Sequence, residues 1–262
     1  MDNGKTQILV LVEGEKTDVN LMRHLLNVYG ISQNHEIVSY NTNIYELYNH
    51  MFRDEDPHTI DFLQLLKEHE KDPEKKQIFD HNYSDILLIF DLDPQDPQFS
   101  PAKIEEMAVY FVESSDMGKL YLNYPMVEAF YHMRAIPDKD FESYTASLQE
   151  LQDKAYKARV QRENRDHDYR KFAANRDECS IVIRQNIEKA CHLVGYEPTS
   201  DDSIPEGRTI LDAELTLLSE TERVSVLCTC AFYIWDYNPN LLGRNKRRVH
   251  HERLCRRRSF PS

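Results

Sequence analysis

The chain is 262 residues long, 40% hydrophobic, and carries a formal charge of −13 with only seven glycines. That leaves room for a sizeable core and one or two domains, while no apolar run approaches the ~20 residues that span a bilayer. The first apolar run, Ile8–Val12, stops at Glu13 and is too short for a secretory leader. The expected location is therefore the cytoplasm, with no membrane partner.

Residues 8–12 are apolar throughout and rich in β-branched side chains, the pattern of a buried strand. Thr17 or Asp18 is placed to cap a helix running to about Tyr29, with Leu21, Met22, Leu25 and Leu26 on its apolar face and Gly30 at its end. A second strand is expected at 36–40, then helices at 44–52 and 59–69 joined by an acidic linker. Residues 86–90 form another fully apolar strand, closing on Asp91-Leu92-Asp93-Pro94. A helix is expected at 101–115, a third clear strand at 118–122 and a short helix at 124–133.

Strands alternating with helices imply a parallel α/β sheet flanked by helices, whose functional groups collect at the carboxyl ends of the strands. Beyond Pro137 the pattern changes. Residues 140–176 are highly charged and helical in period, and 177–194, 208–219 and 220–237 also predict helices. The expected organisation is an α/β domain over 1–137, a helical region over 138–243 and a basic tail over 244–262. That tail holds eight Arg or Lys against one Glu, a net of +7, which leaves −20 for the rest.

The first strand runs into Gly14, Lys16 and Thr17, which suggests a phosphate loop. Such a loop needs Gly-x-x-x-x-Gly-Lys-Ser/Thr so that backbone amides close on the anion, and here Val10 and Glu15 hold the two glycine positions. Glu13 and Glu15 add negative charge where phosphate would sit. Two unit charges ~4 Å apart repel by ~4 kcal/mol at an effective dielectric of about 20. The loop rejects a bare phosphate and suits a cation.

Glu13 follows one buried strand; Asp91 and Asp93 follow another. If those strands are neighbours, three carboxylates meet at one sheet edge, and Mg²⁺, a hard ion taking oxygen ligands, is the expected partner. Taken singly, an acid after a strand is often a helix cap, and Asp-x-Asp-Pro is a common turn.

"LVEGEKTD" followed by "LLIFDLD" resembles the Toprim domain shared by type IA and II topoisomerases, bacterial primases and OLD-family nucleases. The resemblance covers roughly residues 6–130, and the matching positions are Glu13, Gly14, Asp91 and Asp93. It implies a catalytic or metal role for Glu13 and Mg²⁺ (or Mn²⁺) binding by the Asp pair. "VEGEKTD" is especially similar to RloB-like and OLD-like proteins of bacterial anti-phage loci. In these a further acid follows the last strand; "LNYPMVEAF" supplies Asn123, Pro125 and Glu128, with one residue more between Asn and Pro. Asp18 matches a further metal-binding acid on the first helix, displaced by one position.

The resemblance implies a Mg²⁺-dependent Toprim endonuclease acting on RNA (tRNA among it) or DNA, as effector of an anti-phage system like the Toprim subunit of the PARIS system. Glu13, Asp91, Asp93 and Glu128 would be catalytic; Glu13, Asp18, Asp91 and Asp93 would hold metal. The chain lacks a Walker A motif, so an ABC-type ATPase partner would act in trans. Two alternatives stay open: a non-catalytic Toprim scaffold that binds such a partner, and a primase- or recombination-type enzyme.

Lys16 and Lys119 are candidates to steady transition-state charge, or simply surface lysines. The basic run around 154–170 is either a solvated helical face or a nucleic-acid face. The odd cysteine count, with Cys228 and Cys230 separated by one residue, favours reduced structural thiols. Apolar positions such as Leu211, Leu215, Val224, Leu227 and Trp235 are core candidates, and a homodimer or ATPase contact is a further use for them.

Overall fold

The computed structural model describes residues 7–53, 56–115, 117–196 and 204–243. The expected basic tail 244–262 and its Cys255 lie outside these residues.

Four strands form one parallel sheet. They are β1 (Ile8–Val12), β2 (His35–Ser39), β3 (Asp85–Asp91) and β4 (Lys119–Asn123), in the order β2-β1-β3-β4. β1 and β3 occupy the centre because they are the most uniformly apolar: every residue of β1, and every residue of β3 beyond Asp85, is buried. A parallel sheet covered on both faces calls for such unbroken apolar runs. Helices α1 (Thr17–Val28), α2 (Ile44–Phe52), α3 (Phe62–His69), α4 (Pro73–Ile78) and α5 (Pro101–Tyr110) fill the connections. α1 turns Leu21, Met22, Leu25 and Leu26 inward as expected.

Several boundaries differ from the sequence reading, each for a local reason. α1 starts after Lys16 with no side-chain cap, so Asp18 lies in its first turn instead of capping it. Residues 57–59 form a separate 3-10 turn, and α3 begins at Phe62 behind Asp61, whose carboxylate accepts the Gln64 N–H. α4 went unforeseen; it opens on Asp72-Pro73, with Asp72 accepting the Glu74 N–H. α5 ends five residues short of 115, where Phe111 leaves helical backbone at ψ 70°. The expected helix at 124–133 is only a 3-10 turn, Val127–Tyr131.

The C-terminal part is helical but interrupted. Residues 140–176 hold a short strand β5 (Thr145–Ser147), α6 (Leu148–Gln152) and α7 (Tyr156–Glu163) instead of continuous helix. α8 (Arg176–Leu193) and α9 (Gly207–Thr221) follow. The single helix expected over 220–237 is broken at Glu222, which takes a left-handed conformation (φ 55°) and releases the chain into β6 (Arg223–Ser225). β6 pairs antiparallel with β5, and α10 (Tyr233–Tyr237) comes after.

This part is packed onto the sheet. α9 lies against α5 and β4. Tyr124 and Leu227 exchange two backbone hydrogen bonds of 2.8 Å just beyond β4. One cluster of buried apolar side chains runs from Ile8 to Leu242. No helix among the described residues is long and apolar enough to cross a membrane.

Candidate metal centre

β1 and β3 lie side by side with Val12 opposite Ile89, and this register brings Glu13 to Asp91. The Glu13 N–H donates to the Ile89 carbonyl at 3.0 Å, and Glu13 Oε2 accepts the Asp91 N–H at 3.1 Å. Glu13 therefore caps no helix; its carboxylate is tied to the neighbouring strand.

Asp93 arrives by a turn and not along the strand. β3 ends at Asp91, and the chain turns. Asp93 sits at φ 41°, its N–H donating to the Pro125 carbonyl at 3.2 Å and its Oδ1 accepting Gln95 Nε2 at 3.0 Å. Left-handed backbone costs a non-glycine residue about 1 kcal/mol or more, and Asp tolerates it better than most. The turn brings one carboxyl oxygen each of Glu13, Asp91 and Asp93 within 4.8 Å of one another.

β4 contributes Asn123, opposite Asp91 in register and fully buried. Its Nδ2 donates to Asp91 Oδ1 at 3.2 Å, while its Oδ1 accepts the Cys230 N–H at 3.3 Å. The amide thus fixes one oxygen of Asp91. "LNYP" shows Asn123 as a motif residue, but only strand pairing reveals what it holds.

Asp18 and Glu128 complete the surroundings. Both are at least nine-tenths buried, and each has one oxygen, Asp18 Oδ1 and Glu128 Oε2, with no hydrogen-bond partner among the described residues. Glu128 Oε1 meets Lys157 Nζ at 3.1 Å. Lys157 stands 29 positions away on α7, and nothing in its local sequence marks it.

Burial and mutual repulsion make Glu13, Asp18, Asp91 and Asp93 reluctant to ionise. Burial, reinforced by Asp93, pushes Glu13 up to about 8. Asp18 is raised to about 6 by burial and then by Glu128. Asp91 lies well above the ordinary range through burial, then through Glu13 and Asp93; burial raises Asp93 too. Lys157 is the counterweight: burial works against its charge, but Glu128, Asp91 and Asp93 hold its pKa above the ordinary lysine value. One cation among five carboxyls leaves the cluster undercompensated.

Comparison with family models, curated proteins and solved structures finds no match. The converging donor set of Glu13, Asp91 and Asp93 is all oxygen, which fits a hard divalent cation such as Mg²⁺ or Mn²⁺, and Asp18 and Glu128 each add a buried oxygen nearby without a partner among the described residues.

Other candidates fall outside. Glu15 faces away, accepting from Asn41 at 2.9 Å and lying 3.5 Å from Lys75. Lys16 is exposed. Lys119 starts β4, at the opposite end from Asn123, and pairs with Asp236. Cys179, Cys191, Cys228 and Cys230 are buried and form no disulfide among the described residues, with the Cys228 and Cys230 sulfurs 3.3 Å apart.

Gly14 lies close against the Asp18 carboxylate. A Cβ there would stand 2.7 Å from Asp18 Oδ2. Gly14→Ala is expected to push Asp18 aside and to lower stability by about 1–3 kcal/mol in urea unfolding.

Proposed function

We propose that the chain is a divalent-metal-dependent phosphodiester hydrolase, a Toprim-type nuclease acting on RNA or DNA. The observation that carries this reading is the convergence of Glu13, Asp91 and Asp93 from two adjacent central strands at the carboxyl edge of a parallel sheet. Glu13, Asp91 and Asp93 would hold the metal, with the free oxygens of Asp18 and Glu128 available as further ligands. Bound Mg²⁺ or Mn²⁺ supplies Lewis-acid stabilisation of phosphoryl oxygens and a water of lowered pKa.

The chain's own groups have distinct tasks. Asn123 and the Asp91 N–H orient Asp91 and Glu13, so little rearrangement accompanies charging of the site. Lys157 offers a cation beside Glu128 that can face a phosphate oxygen. Tyr45 feels the charge of Asp93 and Glu13, but it is fully buried and donates its hydroxyl to the Leu92 carbonyl. Such a phenol is a poor strand-transfer nucleophile.

The role of anti-phage effector, governed by a partner ATPase in trans, rests on the resemblance of the Glu13-Gly14 and Asp91-x-Asp93 motifs. The decisive assay is cleavage of tRNA, single-stranded RNA and DNA by purified protein with Mg²⁺ or Mn²⁺. Wild type cleaves at least one of them, while Glu13→Ala and EDTA-treated wild type do not. Equal cleavage by Glu13→Ala would remove the proposal. The acidic body, −20 over residues 1–243, favours a second reading as an assembly scaffold, since like charge opposes approach of nucleic acid. That reading predicts no Mg²⁺ or Mn²⁺ uptake in calorimetry.

A further inference from the structure

The stretch 154–171 has seven Lys or Arg against three acids, within a body that is otherwise strongly negative. α7 packs on the Val127–Tyr131 turn, and Lys157 reaches Glu128. The stretch therefore begins at the rim of the carboxylate centre.

Its three acids are already engaged. Glu163 binds Arg134 at 2.7 Å and His132 at 3.2 Å, Asp166 pairs with Arg165, and Asp168 with Arg170. Arg159 is held by Glu150, and Arg165 also by Glu178. What remains is cationic and open. Lys154 is exposed and forms no ion pair among the described residues. Arg162 is 70% exposed and only 3.7 Å from a Glu163 that other groups already share. Arg162 lies five positions beyond Lys157, about 7.5 Å along the helix axis and about 140° around it, so the two flank the side of α7 opposite its buried Tyr156 and Val160.

The geometry points to α7 and the turn before it as a strip that leads the phosphodiester backbone of a nucleic acid to the carboxylates, with Lys157 innermost and Lys154 and Arg162 as outer contacts. It rests on the reading of the centre as a nuclease, and it accounts for how a body of −20 admits a polyanion. The positive charge is concentrated beside the one place where a phosphate has to arrive, and repulsion elsewhere disfavours other approaches.

The test uses full-length protein carrying Asp91→Asn, so that nucleic acid stays intact. It is titrated into a fluorescein-labelled single strand of about 16 nucleotides, once as RNA and once as DNA, and anisotropy is read across a salt series. Adding Lys154→Ala and Arg162→Ala together is expected to make the slope of log K against log salt shallower by about 1.4, about 0.7 for each lost phosphate contact on a single strand. Lys71→Ala with Lys103→Ala, on other elements, leaves the slope unchanged, and unchanged melting temperatures exclude misfolding. The strand bound tighter names the substrate class.

An unaltered slope in the Lys154/Arg162 pair, an equal loss in the control pair, or no binding of either strand overturns the strip. The two readings fail separately. If wild type cleaves but the slope does not respond, only the strip is wrong. If the slope responds but wild type cleaves nothing with Mg²⁺ or Mn²⁺, the strip stands as a binding surface and the nuclease reading falls.

Discussion

Asp91→Asn is expected to melt at least 2–4 °C above wild type in EDTA and to lose cleavage activity by about a thousandfold or more. The two effects have one cause. Asp91 is buried beside Glu13 and Asp93, so in metal-free protein it must either take up a proton or remain charged among like charges. Asparagine avoids both, keeps the shape, and still offers an oxygen to Asn123 Nδ2, which now lies 3.2 Å from Asp91 Oδ1. Relief of about 1 kcal/mol shifts the melting temperature of a chain this size by the stated amount. The same change removes a charged ligand oxygen from the centre, and a loss of several kcal/mol of transition-state stabilisation is about three powers of ten in rate. Mn²⁺, which should raise the melting temperature of wild type, should move that of the variant little. A variant that melts lower than wild type in EDTA would mean that Asp91 stabilises the fold, and a variant as active as wild type would place the chemistry elsewhere. Glu13→Gln should follow the same pattern, since Glu13 is likewise raised by burial.

The parts of this centre that were legible in the sequence are those set by short-range pattern. The runs 8–12 and 86–90 are apolar without a break, which only central strands require, and both end in acids; their pairing turned two separate signals into one site. The remainder depends on contacts between distant residues. Lys157 lies in a charged run that looks like any solvated helix, and its meeting with Glu128 is created by packing of α7 on a 3-10 turn. Asp93 enters through a left-handed turn beyond the end of β3. The error at 220–237 has the same origin. Helical periodicity continues through Glu222, but pairing of Val224 with Ala146 pulls the chain into a strand, and tertiary pairing outweighs the ~1 kcal/mol span of local propensity.

In EDTA, the melting temperature of wild type is expected to fall between pH 6.5 and 8, and divalent metal is expected to cancel the fall. Glu13 has a folded pKa of about 8 against an ordinary 4.5. Between those values the unfolded chain has released a proton that the folded chain retains, so the folded state binds more protons and stability decreases as pH rises. The contribution is complete below pH 4.5 and gone above about pH 8. Asp18, raised from 3.8 to about 6, and Glu214, raised from 4.5 to about 7, act in the same direction over lower windows. His132 opposes them, since burial lowers it to about 4 and stability then rises with pH up to its ordinary 6.5. Lys189, lowered from 10.5 to about 8, restores stability only above pH 8. Glu214 still contributes up to about pH 7, so the upper part of the interval, from pH 7 to 8, reports mainly the carboxylate centre; Asp91 adds to Glu13 there, and Glu13→Gln should lessen the fall. A cation needs these acids ionised, so its uptake at pH 7 must release protons. Calorimetric enthalpies of Mn²⁺ binding should accordingly differ between two buffers of unlike ionisation heat, by about one proton or more per ion. A melting temperature that stays level in EDTA over that interval, or binding heats that ignore the buffer, would mean that Glu13 is already ionised and that repulsion does not hold this centre ready for a metal.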